Sequence, residues 1–302
     1  MKKFLTCLLV LAMVLSLAAC GGNDSSSSGD TSGTDDSQTA GDTSGTDDSQ
    51  TAGDTSGSGD SNDDGNTDGT YTTVTEGKLV MSTNASFPPY EMVDESGNII
   101  GIDAEIAAAL AEKLGLELEI IDIDFDSALL AVQEGRSDMV LAGLSYREDR
   151  DEVMDFSTSY ATGVQVVIVP DGSDIEDNDG LDGKMIGVQR GTTGHIYASD
   201  TPENGGYGEE HVLAYDNGAL AVQAMINGQI DAVIIDNGPA QEYVKANPGI
   251  HILEGNWVLE DYCLAVNEGN SALLEVLNSA LEELIENGTV QEIIDKYITA
   301  EQ

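Results

Sequence analysis

From residue 71 onward, short apolar runs alternate with stretches in which apolar residues return every third or fourth position. Leu79 to Ser82 is an apolar run followed by the turn-rich Asn84-Ala85-Ser86-Phe87-Pro88-Pro89, which predicts a strand ending in a loop. Ile106, Leu110 and Leu114 stand at i, i+4 and i+8, with Asp103 before them and Gly115 after. That spacing predicts a helix capped by Asp103 and stopped at the glycine. Leu116 to Ile123 predicts a second strand. Asp126 is the expected cap of a helix over Ser127 to Glu134, Gly135 its stop, and Asp138 to Leu141 a third strand.

The second half repeats the grammar. Val164 to Val169, Met185 to Gln189, Val212 to Tyr215 and Ala232 to Ile235 predict strands. Asn217 caps a helix that Gly228 ends; a further helix is expected over Ala240 to Ala246, and two amphipathic helices, around 272–286 and 290–298, close the chain. The segments Gln133 to Val140 and Ile226 to Val233 share one plan: helix end, glycine, Asp at a strand start, apolar strand. Those strands run into Gly143-Leu144-Ser145 and Asp236-Asn237-Gly238. The pattern is α/β, with mostly parallel sheets flanked by helices. Ligands of open α/β sheets bind beyond the carboxyl ends of strands, so two such edges suggest a ligand held between two lobes.

The N-terminal 70 residues read differently. Lys2 and Lys3 precede an apolar run over Phe4 to Leu17, and Leu17-Ala18-Ala19-Cys20 follows. This is the make-up of a secretory signal, too short for a lasting membrane span. Residues 21–70 hold no Leu, Ile, Val, Met or aromatic residue, and GDTSGTDDSQTA at 29–40 recurs at 41–52. Such a stretch has nothing to bury against its ordering entropy and is expected to be a flexible tether. Its Asp pairs lack the ordered carboxylate spacing of a calcium loop.

Charge narrows the partners. The formal charge is −45, and beyond the tether 44 acidic residues face 9 basic ones. A field of that sign repels nucleic acid and anionic membrane surfaces. Of the three cysteines, Cys7 falls in the signal and Cys20 at its end. Cys263 is left alone in a strand-like run, so no internal disulfide is expected and a buried thiol is the simpler reading.

Four segments, in order, resemble the bacterial extracellular solute-binding proteins of family 3, the polar amino-acid type: TNASFPPYEMVDESGNIIGIDAEIAAALAEKLG (83–115), AGLSYREDRDEVMDFSTSY (142–160), IGVQRGTTGHIY (186–197) and GQIDAVIIDN (228–237). The resemblance implies a two-lobed, type II periplasmic-binding-protein-like fold in which two strands cross between lobes. Lobe 1 would hold 71–162 plus 260–302 and lobe 2 would hold 163–259. It implies a monomer that binds a polar amino acid and delivers it to an ABC importer permease, with no cofactor and no metal. The segment before Cys20 likewise resembles a lipobox, which implies a signal peptide over 1–20, lipid on the Cys20 thiol and a membrane-anchored, extracytoplasmic location.

A free amino acid is a zwitterion, so its pocket needs a cation and an anion. Arg150 stands at the family's carboxylate-binding position, and its planar fork matches a carboxylate; the alternative is a surface ion pair with Asp149 or Asp151. Arg147 lies off that position and reads as a solvated charge. Asp236, at the end of an apolar strand, is the candidate anion; the alternative is a helix cap. Gly143 and Ser145 end the matching strand of lobe 1. Ser145, Thr192 and Thr193 are expected to offer donors to the carboxylate, the last two in a Gly191-Thr192-Thr193-Gly194 turn at a helix start. Phe87 and Phe125 match positions that enclose the ligand's side chain, although Phe125 also suits a hydrophobic staple. Many relatives that bind basic amino acids carry an acid where this chain has Asn84. An amide there, with Gln189 across the cleft, leans towards a neutral ligand such as glutamine or cystine unless a neighbouring acid substitutes.

No catalytic set is evident, since His195, His211 and His251 are scattered and residues 199–210 read as a surface insertion. Two other functions fit the same resemblance: a dehydratase of a cyclic carboxylic acid, and a ligand-sensing surface lipoprotein.

Overall fold

The computed structural model describes residues 71–298. The expected signal segment, the tether and Cys20 lie outside the described residues.

Strand β1 (Lys78–Thr83) leads through a two-residue strand, β2 (Ser86–Phe87), into β3 (Glu91–Val93) and β4 (Ile99–Ile100), which form a small antiparallel sheet. Helix α1 (Ile102–Leu114), β5 (Glu117–Asp122), α2 (Phe125–Gln133), β6 (Met139–Val140), the single turn α3 (Glu148–Asp151) and β7 (Met154–Phe156) follow. The long β8 (Ala161–Pro170) opens the second lobe, with β9 (Ile186–Gln189), α4 (Thr193–Ser199), β10 (Val212–Tyr215), α5 (Gly218–Ile226), β11 (Ala232–Asp236), α6 (Asn237–Ala246) and β12 (Ile250–Ile252). Strand β13 (Val258–Tyr262) runs back, and β14 (Ala265–Asn267), α7 (Ser271–Glu286) and α8 (Thr289–Tyr297) complete the first lobe.

The first-lobe sheet has the order β5-β1-β6-β14-β7 and the second β10-β9-β11-β8-β12, with β13 also on β8. The β-α-β units give parallel ladders, β1 with β5 and β6, β9 with β10 and β11. The strands that return across the molecule give antiparallel ones: β8 with β11, β12 and β13, and β14 with β6 and β7. Both sheets are therefore mixed. Strands β8 and β13, paired from Ala161↔Tyr262 to Gln165↔Val258, are the two-strand connection between lobes.

Sequence pattern explains the burial. Ile102, Ile106 and Leu110 of α1 and Leu273, Leu277 and Leu281 of α7 are fully buried, each set at helical spacing on one face. Burying each such side chain contributes about 1.5–3 kcal/mol. The core continues between lobes through Tyr90, Tyr160 and Tyr262, and Tyr90 meets Tyr262 edge-on with centroids 5.0 Å apart. Asp138 accepts from the Val74 and Val80 amides, both at 2.7 Å, and so fixes the chain on either side of the entry to β1.

Two expected caps move. Helix α1 starts after Gly101, at φ 131°, where a Cβ would strike the Tyr90 carbonyl. Asp103 then lies inside the first turn, fully buried, and accepts from the Gly143 amide at 2.7 Å and the Tyr160 hydroxyl at 2.8 Å. Helix α2 begins two residues earlier than expected, after Asp124, and Asp126 accepts from the amide of Ser127. Asn217 does cap α5, accepting from the Leu220 amide at 3.0 Å. In the 199–210 segment, two 3-10 turns bracket Tyr207, whose ring packs on Trp257 and whose hydroxyl donates to the Asn178 carbonyl. Cys263 is buried.

Candidate functional site

The carboxyl ends of β1 and β6 on one side, and of β9 and β11 on the other, turn towards each other across the gap spanned by β8 and β13. All ten residues that the sequence suggested for the ligand line one cavity there, together with Glu91 and Ala142. Asn84 follows β1, Phe87 ends β2, and Phe125 is the first residue of α2. Gly143 and Ser145 follow β6, and Arg150 comes from α3. Gln189 ends β9, Thr192 and Thr193 start α4, and Asp236 ends β11. The two sides already touch. Gln189 donates to the Asn84 side-chain oxygen at 3.1 Å, and Arg150 donates to the Gly191 carbonyl at 3.0 Å.

Arg150 is 6% exposed. Its guanidinium also donates to the Ser145 carbonyl at 2.8 Å and lies over the Phe125 ring, 5.7 Å from the centroid. Burial draws its pKa down to about 10, and the neighbouring Arg147 charge adds to the effect. Among the described residues, the other eight Lys and Arg side chains each have a carboxylate within ion-pair distance. Arg150 alone has none, so the surface ion pair considered for it with Asp149 or Asp151 is not formed. A buried cation without a counter-ion is costly, and an incoming carboxylate removes that cost.

Asp236 sits at the N-cap position of α6, but its side chain does not cap the helix. It accepts from the Tyr262 hydroxyl and from Gln165 Nε2 at 2.8 Å. The same Nε2 donates at 3.0 Å to Glu260, which also accepts from Ser145 and Thr193 hydroxyls, both at 2.9 Å. Burial first, then the Glu260 charge, raises the Asp236 pKa to about 7. Gln165, Glu260 and Tyr262 were not foreseen. The signal available was a glutamine inside the apolar run Val164 to Val169 and a glutamate in β13.

Glu91 was also missed. It is fully buried at the start of β3, no N–H or hydroxyl donor reaches either carboxylate oxygen, its carboxyl lies against that of Asp103, and it lines the cavity. Burial, followed by the charge of Asp103, holds its pKa well above the usual range. Asp103 itself is raised by burial to about 6.

Other expectations shift in detail. The Ser145 and Thr193 hydroxyls donate to Glu260. The Thr192 hydroxyl accepts from the His195 amide, capping α4, and donates to the Gln189 carbonyl at 2.8 Å. Its single O–H is thus committed to the Gln189 carbonyl. Gly143 has φ 51°, and a Cβ there would stand 2.6 Å from the Phe87 ring. Arg147 is not a solvated charge. Its side chain is only 14% exposed, pairs with Asp149 at 2.8 Å and lies over the Tyr197 ring at 5.0 Å. Among the described residues no group of three or more His, Cys, Asp or Glu is placed to hold a metal ion.

Comparison with known proteins agrees with this fold. A probable histidine-binding protein of Neisseria gonorrhoeae is 33% identical over 226 residues, covering 73% of this chain and 83% of that one. An ancestral arginine-binding protein solved with arginine is 39% identical, with a TM-score of 0.69 over 74% of this chain and 98% of its own. An ancestral arginine-binding protein solved with glutamine is 38% identical, with the same TM-score over 74% and 99%. The family model for bacterial extracellular solute-binding proteins, family 3, matches residues 79–300. With that match covering most of its length, the chain belongs to the family 3 bacterial extracellular solute-binding proteins.

Proposed function

We propose that the cleft takes a free amino acid with a cationic side chain, of the arginine type, and that the protein hands it to the permease of an ABC importer. The observation that carries the reading is the presence, in one cavity, of a guanidinium without a counter-ion (Arg150) and a carboxylate (Asp236) on the opposite lobe. The ligand's carboxylate goes to Arg150 and its ammonium to Asp236 and Glu260. Phe87 and Phe125 flank the side chain. Asn84 alone pointed to a neutral ligand. Glu91 changes that balance, because a buried carboxyl that gives up its proton as a cation enters becomes the counter-charge that a guanidinium or ammonium side chain needs. Relatives named with histidine and solved with arginine support a basic side chain, and one solved with glutamine supports the wider class of polar amino acids.

Binding alone is asked of the site: closing over the ligand is favoured because the ligand touches both lobes, and no bond is made or broken. The lobes divide at 71–162 plus 260–302 and 163–259. The working unit is a monomer, carried outside the membrane by lipid on Cys20 after removal of residues 1–20.

A thermal-shift screen of the purified chain against the twenty amino acids and cystine tests the reading. Ligand at 100 times its dissociation constant adds about 2.7 kcal/mol of stability. Arginine is expected to give the largest shift, and Glu91→Gln is expected to move the preference to glutamine. A screen in which no amino acid raises the midpoint defeats the proposal.

A further inference from the structure

Arg147 belongs to the first lobe and Tyr197 to α4 of the second, yet the guanidinium lies 5.0 Å from the Tyr197 ring centroid. Neither residue lines the ligand cavity. Arg147 reaches across from the loop between Ser145 and α3. Its Nε is held by Asp149 at 2.8 Å, and its Nη1 is buried with no hydrogen-bond partner. The ring it covers is itself supported. Tyr197 meets Trp257 edge-on at 6.3 Å, Tyr207 packs at a tilt on Trp257 at 6.0 Å, and the Trp257 amide donates to the Gln165 carbonyl at 2.9 Å. A guanidinium stripped of water on one side gains from a fixed aromatic face. That gain exists only while the lobes are together, because the two partners ride on opposite lobes.

We propose that Arg147 and Tyr197 form a latch at the edge of the cleft, which raises ligand affinity by stabilising the closed arrangement without touching the ligand. Affinity follows the population of the binding-competent state, so the latch acts mainly on the rate of release. It rests on closure as part of the proposed function and on no particular ligand.

The test uses the full chain, with L-arginine and L-glutamine as probes in calorimetry and stopped-flow. The chain's single tryptophan, Trp257, reports closure by its emission. Arg147→Ala and Tyr197→Leu are each expected to raise the dissociation constant about three- to tenfold. The change should fall on the dissociation rate, with the association rate held within about twofold. The double variant should lose no more than either single one, and Arg147→Lys should recover part of the loss. Wild-type affinity in both single variants, or penalties that multiply in the double, overturns the latch. Small-angle scattering of the unliganded chain separates this outcome from a failure of the ligand assignment. If no amino acid binds, Arg147→Ala must still widen the mean lobe separation, and an unchanged profile overturns the latch equally.

Discussion

Asp236 and Glu260 accept from one and the same amide nitrogen, Gln165 Nε2, at 2.8 and 3.0 Å. Two carboxylates from β11 and β13 thus meet on a residue of β8, the strand that lies between them in the sheet. Holding both as anions is unfavourable in a site closed to water. Burial first and the Glu260 charge second push the Asp236 pKa up to about 7, and an ammonium group placed beside the pair relieves both.

Stability of the unliganded protein should therefore fall as pH rises. A carboxyl group whose pKa is raised on folding is protonated in the native state and ionised in the unfolded one between its unfolded value and its folded value. The native state binds more protons across that window, so unfolding becomes easier as pH climbs from about 4 to about 7. Asp103, raised to about 6, acts in the same direction. Calorimetry should give a higher midpoint at pH 5 than at pH 8, and Asp236→Asn should shrink the difference. An unaltered difference in that variant would remove Asp236 from the account.

Ligand binding should run the other way. The ammonium selects ionised Asp236, so binding below pH 7 releases a proton and affinity drops by up to about tenfold per pH unit. Titrations at pH 5.5 in buffers of different ionisation enthalpy should show the release, and at pH 8.5 they should not.

Replacing Arg150 separates binding from folding. Arg150→Met removes the clamp for the ligand carboxylate and should weaken arginine binding by more than about 100-fold, the scale of a charged group left unpaired. The unliganded midpoint should stay level or rise, since a buried cation without a counter-ion is exchanged for an apolar chain against Phe125. Retention of binding would show that the carboxylate docks elsewhere.

Gly143→Ala should damage both properties. Its φ of 51° disfavours a side chain, and the new Cβ would lie 2.6 Å from Phe87. A loss of about 1–3 kcal/mol in denaturant unfolding, with weaker ligand binding, is the expected outcome. A variant with wild-type values would mean that Phe87 moves freely.

Cys263 should be inert in the native state. Burial pushes its thiol up to about 12, so a thiol reagent at pH 8 should label it only after denaturation. Fast labelling of native protein would contradict the burial.

Much of the fold was legible because its signals are local. Asn217 and Gly228 bracket α5 as their chemistry requires, and Ser145 beyond β6 and the strand ends at Gln189 and Asp236 fall in the cleft as the order of elements implies. What escaped depends on contacts remote in the chain. Asp103 has the composition of a cap, but Gly143 and Tyr160, 40 and 57 residues on, claim its carboxylate. Glu91 looks like an ordinary exposed acid until β3 buries it in the wall of the same cavity as Asn84. Arg147 looks solvated until α4 brings Tyr197 under it. The sense of Gln165 depends on the register of three strands far apart in sequence, which no local pattern records.

The carboxylate of Asp138 gives the molecule a mechanical footing. It grips the backbone at Val74 and again at Val80, so a tug arriving from the N-terminal side is taken up before it travels along β1. That strand is zipped to β5 from Lys78 to Thr83, and a pull along it loads those parallel bonds in shear, all at once. The stretch that carries Asn84 and Phe87 thus begins only beyond that ladder, on the far side of the Asp138 grip from Val74.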